Sequence, residues 1–92
     1  MIIKIFTIFD QKAEAYLAPF FLNTKGQAIR AFSDSINDPS HQFNHHPEDY
    51  TLFQLGEYDD SAASIDTLPS PISLGVAIEY IKEAPAQPIF LE

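Results

Sequence analysis

Residues 2–9, Ile-Ile-Lys-Ile-Phe-Thr-Ile-Phe, carry apolar groups on both alternating faces, the pattern of a strand at the centre of a sheet. Asp10 ends the run. Residues 11–22 start with a polar turn and pass through Tyr16 to Pro19-Phe20-Phe21, where proline disfavours helix in the residue before it. They predict a loop whose aromatics tuck inward. Thr24 followed by Gln27 fits a capping box, in which hydroxyl and amide side chains satisfy each other's first-turn backbone groups. Ala28, Ile29, Phe32 and Ile36 then recur at helical spacing until Asn37-Asp38-Pro39, so a helix over 25–37 packs one stripe on the first strand.

Residues 39–49 form a polar connector with one apolar anchor, Phe43. Residues 50–58 are aromatic and branched, predicting a second long strand with Gly56 as a bulge or point of close approach. Asp59 to Ala63 makes a turn and Ser64 to Leu68 a short returning strand. After Pro69-Ser70-Pro71, apolar groups at 74, 77, 78 and 81 predict a short amphipathic helix, which Pro85 and Pro88 stop. The expected fold is a small single α+β domain over residues 1–84. Its order is β-α-β-β with a short C-terminal helix, the mostly antiparallel sheet packing on one main helix. Residues 85–92 form a Pro-rich apolar tail ending Ile89-Phe90-Leu91-Glu92.

Composition adds that the chain folds: 46% of its 92 residues are apolar, with eight Phe and four Tyr. So small a domain buries a modest share of its surface, which makes homo-oligomerisation an expected source of stability. Without cysteine there is no disulfide or thiolate chemistry, as suits a reducing cytoplasm. No stretch approaches the ~20 apolar residues of a membrane span, and the first residues lack the long apolar core of an export signal.

Charge changes the picture more. The formal total is −8, which argues against a broad basic nucleic-acid clamp. Residues 1–30 nevertheless hold Lys4, Lys12, Lys25 and Arg30 against Asp10 and Glu14, while the remainder has Lys82 alone against eleven carboxylates. Any contact with an anionic partner therefore belongs to the first thirty residues.

His41, His45 and His46 fall within six residues, yet Pro39 and Pro47 bracket them and no second ligand cluster follows, so a solvated loop and no metal site is expected. Glycines 26, 56 and 75 are isolated, which leaves no phosphate loop, and no serine sits in a nucleophile elbow. No catalytic residue, enzymatic activity or cofactor is expected. Single-strand binders stack bases on aromatic rings beside cations. The candidate DNA-contacting set is Lys12, Tyr16, Phe20, Lys25 and Arg30, with Phe21, Tyr50 and Tyr58 as further stacking rings. Glu48, Asp49, Glu57, Asp59 and Asp60 form a candidate acidic face for a protein partner, either as a nucleic-acid mimic or as an adaptor.

Several fragments then join in order: Asp10-Gln11-Lys12-Ala13-Glu14-Ala15-Tyr16, Pro19-Phe20-Phe21, the helix opened by Thr24 with Gly26 and Ala28, Asn37-Asp38-Pro39, Pro47-Glu48-Asp49-Tyr50, and Leu55-Gly56-Glu57-Tyr58-Asp59. Over residues 2–72 this combination resembles the small nonstructural protein of gokushovirus-like microviruses, single-stranded DNA bacteriophages. The resemblance implies a protein of the infected bacterial cytoplasm, absent from the virion. Its role would lie in single-stranded DNA genome synthesis, through direct single-stranded DNA contact or through phage or host replication proteins. The competing class is the acidic interaction module without DNA affinity.

Overall fold

The structure is a computed structural model describing residues 1–82, so the expected tail over 85–92 lies outside the described residues. Five antiparallel strands form one sheet: β1 (Ile2–Asp10), β2 (Ala15–Tyr16), β3 (Phe20–Leu22), β4 (Tyr50–Asp59) and β5 (Ser64–Val76). The long strand β1 is central, with β4 and then β5 on one side and the short β2 and β3 along its other edge. Helix α1 (Lys25–Ile36) and the single turn α2 (Gln42–His45) separate the sheet's two halves, and 3-10 turns cover Pro47–Asp49 and Ala77–Tyr80. The α+β class read from the sequence holds.

The helix starts where the capping box places it. The Gln27 amide donates to Thr24 Oγ1 at 3.1 Å, and Gln27 Oε1 accepts from the amides of Asn23 and Thr24. Ala28, Phe32 and Ile36 are buried on one stripe, against Phe6 and Ile8 of β1 and Leu52 of β4. Phe43 of α2 closes the core from the side, its ring 4.4 Å from Tyr50 and 5.8 Å from Phe32. Asn37 ends α1 and ties it to the chain's last described turn. Its Nδ2 donates to the carbonyls of Ser33 and Tyr80, and its Oδ1 accepts from the Lys82 amide.

Two expectations are corrected. Residues 11–22 are not one loop with inward aromatics: Phe9 stands opposite Tyr16, and Ile5 opposite Phe21. Consecutive strand residues point to opposite faces, so Phe20 goes under the helix and Phe21 outward. Pro19, which lacks an amide donor, falls in the gap between the two pieces. Nor do residues 74–81 form an amphipathic helix. β5 runs through Pro69 and Pro71 to Val76, because Ile72, Leu74 and Val76 alternate along a strand, and only Ala77–Tyr80 turn as 3-10. The two prolines are accommodated by a slip in register, since Gln54 pairs with Ile72 and Gly56 with Thr67.

Both strand glycines are required. A side chain at Gly56 would collide with the Asp66 carbonyl and lie 2.8 Å from Thr67 Cα, the close approach expected there. Gly75 has φ +123°, and a Cβ on it would lie 2.8 Å from the Tyr80 ring.

Candidate functional site

Residues directly opposite each other in a sheet share a face. Ile3, Ile5, Thr7 and Phe9 therefore face away from α1, as do Tyr16, Phe21, Phe53, Tyr58 and Ile65, which stand opposite them or opposite one another. The middle of this face is closed. Thr7 and Ile5 are buried, and Thr7 Oγ1 donates to the Leu17 carbonyl at 2.7 Å, holding the segment between β2 and β3 against the sheet.

Aromatic groups stand at either end of that closed middle. At the first end Tyr16 packs on Phe9 with ring centroids 4.8 Å apart and edge-on to Phe53 at 5.8 Å, and it remains 53% exposed. Lys12 is in the adjoining turn, which Asp10 fixes by accepting from the amides of Lys12 and Ala13. Glu14, at φ 55°, shares that turn. At the second end Phe21 meets Tyr58 edge-on at 6.1 Å, and together with Ile3 and Ile65 they line an apolar recess of about 270 Å³.

The five candidate DNA-contacting residues are spread over both sides of the sheet. Tyr16 is on the open face, and Lys12 is exposed in the turn that adjoins it. Phe20 stacks on Phe6 at 5.7 Å and lines the helix side with Ile8 and Phe32, so its ring serves the core. Lys25 and Arg30 are exposed on α1, the element that covers the other face. Of the further rings, Tyr50 is buried in the core, where burial first, then the charges of Asp10 and Asp49, hold its hydroxyl above its ordinary pKa. Phe53, absent from the sequence-derived set, is the ring that completes the Tyr16 cluster. Its signal was parity, since Phe53, read one strand over, alternates with the buried Leu52.

The acidic set divides as well. Glu48 and Asp49 precede β4, whereas Glu57, Asp59 and Asp60 stand at its far end, ten residues or about 30 Å along at the usual rise. Asp49 is buried. Glu57 faces Lys4 Nζ at 3.3 Å, and Asp60 Oδ1 accepts from the N-terminal amine at 2.7 Å, which raises that amine's pKa. Asp59 accepts from the hydroxyl and amide of Ser61, and these bonds hold its carboxyl below the usual range.

The histidines do not converge on one point. His41 Nδ1 accepts from the Phe43 amide and caps α2, and His45 Nε2 lies 2.7 Å from the Pro39 carbonyl. His46 has its ring nitrogen grouped with carboxylate oxygens of Glu48 and Asp49, all within 4.8 Å of one another. That makes three donors, one fewer than the four of a closed zinc site. Among the described residues no helix is long and apolar enough to cross a membrane.

No curated protein and no solved structure matches the chain. A family model described as Phage ORF5 protein matches residues 3–80, a span that runs from β1 through the last 3-10 turn. With the central strand, the helix, both aromatic ends of the open face and the β4–β5 hairpin all inside the matched span, the chain belongs to the phage ORF5 protein family.

Proposed function

We propose that this phage protein is a nonstructural accessory factor of a gokushovirus-like microvirus, acting in single-stranded DNA genome synthesis in the host cytoplasm. It contacts single-stranded DNA weakly at the Tyr16 end of the open face. The observation that carries the proposal is the half-exposed Tyr16 ring, backed by Phe9 and Phe53, next to the exposed turn that contains Lys12. A ring already packed on two others is a rigid platform on which a base stacks with little ordering cost, and such stacking contributes about 1–3 kcal/mol per base. Lys12 supplies one phosphate contact there, because Lys25 and Arg30 belong to the helix side. With one cation, the salt slope is shallow, about −0.7 per phosphate neutralised. The alternative, an acidic module that docks a basic partner, is less well supported. Its five carboxylates are split between the two ends of β4, and Glu57, Asp59 and Asp60 already have partners within the chain.

Fluorescence titration with oligo-thymidylate at low and moderate salt tests this. Binding at low salt that weakens about tenfold in Tyr16→Ala, and is unchanged in Arg30→Gln, is the expected result. No binding at low salt overturns direct contact.

A further inference from the structure

At the end of the sheet where β1 starts and β4 finishes, the two faces differ in kind. On the α1 side, Lys4 stands opposite Glu57, and Glu57 opposite Asp66. On the open side, Ile3 stands opposite Tyr58 and Tyr58 opposite Ile65, with Phe21 reaching in from β3. Such alternation ordinarily turns the apolar side toward a core and the charged side toward water. Here the apolar side is left uncovered by the described residues: Phe21 is 47% and Ile65 59% exposed, and between them lies the recess of about 270 Å³.

We propose that this recess is a self-association surface, and that its occupant is the Phe21 and Ile65 edge of a second copy related by a two-fold axis. Three observations select a second copy. First, knob and hole belong to one patch. Phe21 and Ile65 project beside the recess they line, which is the self-complementarity that a two-fold interface requires. A cavity of about 150 Å³ holds a benzene ring, so the recess accommodates one phenyl group from a partner. Second, the chain carries −8, so most of its surface repels a second copy, but no Asp, Glu, Lys, Arg or His side chain lines the recess. The carboxylates of Glu57 and Asp66 lie on the opposite side of the same strands. Third, the lining suits neither charged class of partner. A basic protein would be drawn to the carboxylates, and a nucleic acid would find no cation there. Four lining residues fall well short of the ~20–30 residues a side of a standard interface, so the dimer is a weak one, dissociating at about 10–100 µM.

Sedimentation equilibrium of the full chain, from about 5 µM to about 500 µM, brackets that range. Mass rising from monomer toward dimer is expected. Phe21→Asp and Ile65→Glu should each raise the dissociation constant at least tenfold, while Arg30→Glu on the helix leaves it unchanged. Ile65→Glu, on an exposed position of the edge strand, keeps the test decisive if Phe21→Asp fails to fold, which circular dichroism reports. A wild-type chain that stays monomeric throughout overturns the proposal, as does a dimer that neither recess substitution weakens. Loss of dimer in Phe90→Asp with no effect from the recess substitutions assigns the contact to the tail and overturns it equally.

Discussion

The two faces of the sheet are built from similar residues and serve different ends. Toward α1, Phe6, Phe32, Ile36 and Leu52 are at most 2% exposed, and every aromatic ring there is locked among others. Away from α1, Phe9, Phe21, Phe53 and Tyr58 are partly exposed and Tyr16 is half exposed, yet they also pack on one another. Burial against a helix turns apolar area into folding stability at roughly 25 cal/mol per Å². The two ends of the open face, uncovered by the described residues, forgo much of that gain.

The contrast is sharpened most by truncating equivalent rings on each side. Phe6→Ala or Phe32→Ala should cost about 3–5 kcal/mol, since each leaves a cavity that the helix and sheet cannot close. For a domain whose total stability is about 5–15 kcal/mol, that brings the unfolded state close to population. Tyr16→Ala should cost less, about 1–2 kcal/mol, because half of its surface is already in water. Urea unfolding of the variants checks both figures, and equal losses on the two faces would break the division into core and platform.

Next in size is the latch between α1 and the last 3-10 turn. The Asn37 side chain joins them through two hydrogen bonds, Nδ2 donating to the Tyr80 carbonyl and Oδ1 accepting from the Lys82 amide, while Nδ2 also donates to the Ser33 carbonyl and hydroxyl within α1. Asn37→Ala should cost about 1–3 kcal/mol, since it strands carbonyls that are only partly exposed. Thermal unfolding would measure it. A smaller loss would mean that water replaces the side chain, and that the covered face does not depend on this turn.

Much of this division was legible along the chain, but unequally. The capping box, the 28, 29, 32, 36 stripe and the closing Asn37-Asp38-Pro39 depend on local chemistry, and the helix forms where they place it. The first strand was legible for a related reason: both its faces are apolar, as both prove to be. What the pattern did not disclose is that, among the described residues, no helix lies over the second face. That is a matter of chain count, since one helix can cover one side only. Residues 74–81 misled because Leu74, Ala77, Ile78 and Ile81 fit a helical stripe while Ile72, Leu74 and Val76 equally fit a strand. Pairing with β4 decided between them, and pairing is not a local property. The candidate site fared in the same way. Tyr16 and Lys12 are neighbours at the β1–β2 turn because only three residues separate them. Lys25 and Arg30 are close to them in sequence and lie on the other side of the sheet.

Acid and base should separate the two sides by the smallest effects. The helix side has Tyr50 in its core, and its raised hydroxyl pKa contributes stability that is present below the ordinary tyrosine value and lost as pH rises through the folded one. Away from the core, the end of the β4–β5 hairpin is set by Asp59, which holds its turn through the Ser61 hydroxyl and amide. Its carboxyl is depressed, so its contribution is present above the ordinary carboxylate range and lost as pH falls through the folded value. The N-terminal amine, raised by its bond to Asp60, behaves in the opposite sense at the same end: its contribution is complete below its ordinary pKa and lost above the folded value. Amide resonances followed by NMR from neutral pH down through the carboxylate range should therefore move at Ser61 and Ala62 only below the ordinary carboxylate value, while those of Phe32 and Leu52 hold still. Ser61→Ala removes the hydroxyl and should bring the Asp59 titration back toward the ordinary range. If the core amides move together with the turn, the two faces unfold as one unit, and the hairpin end has no separate acid-sensitive hinge.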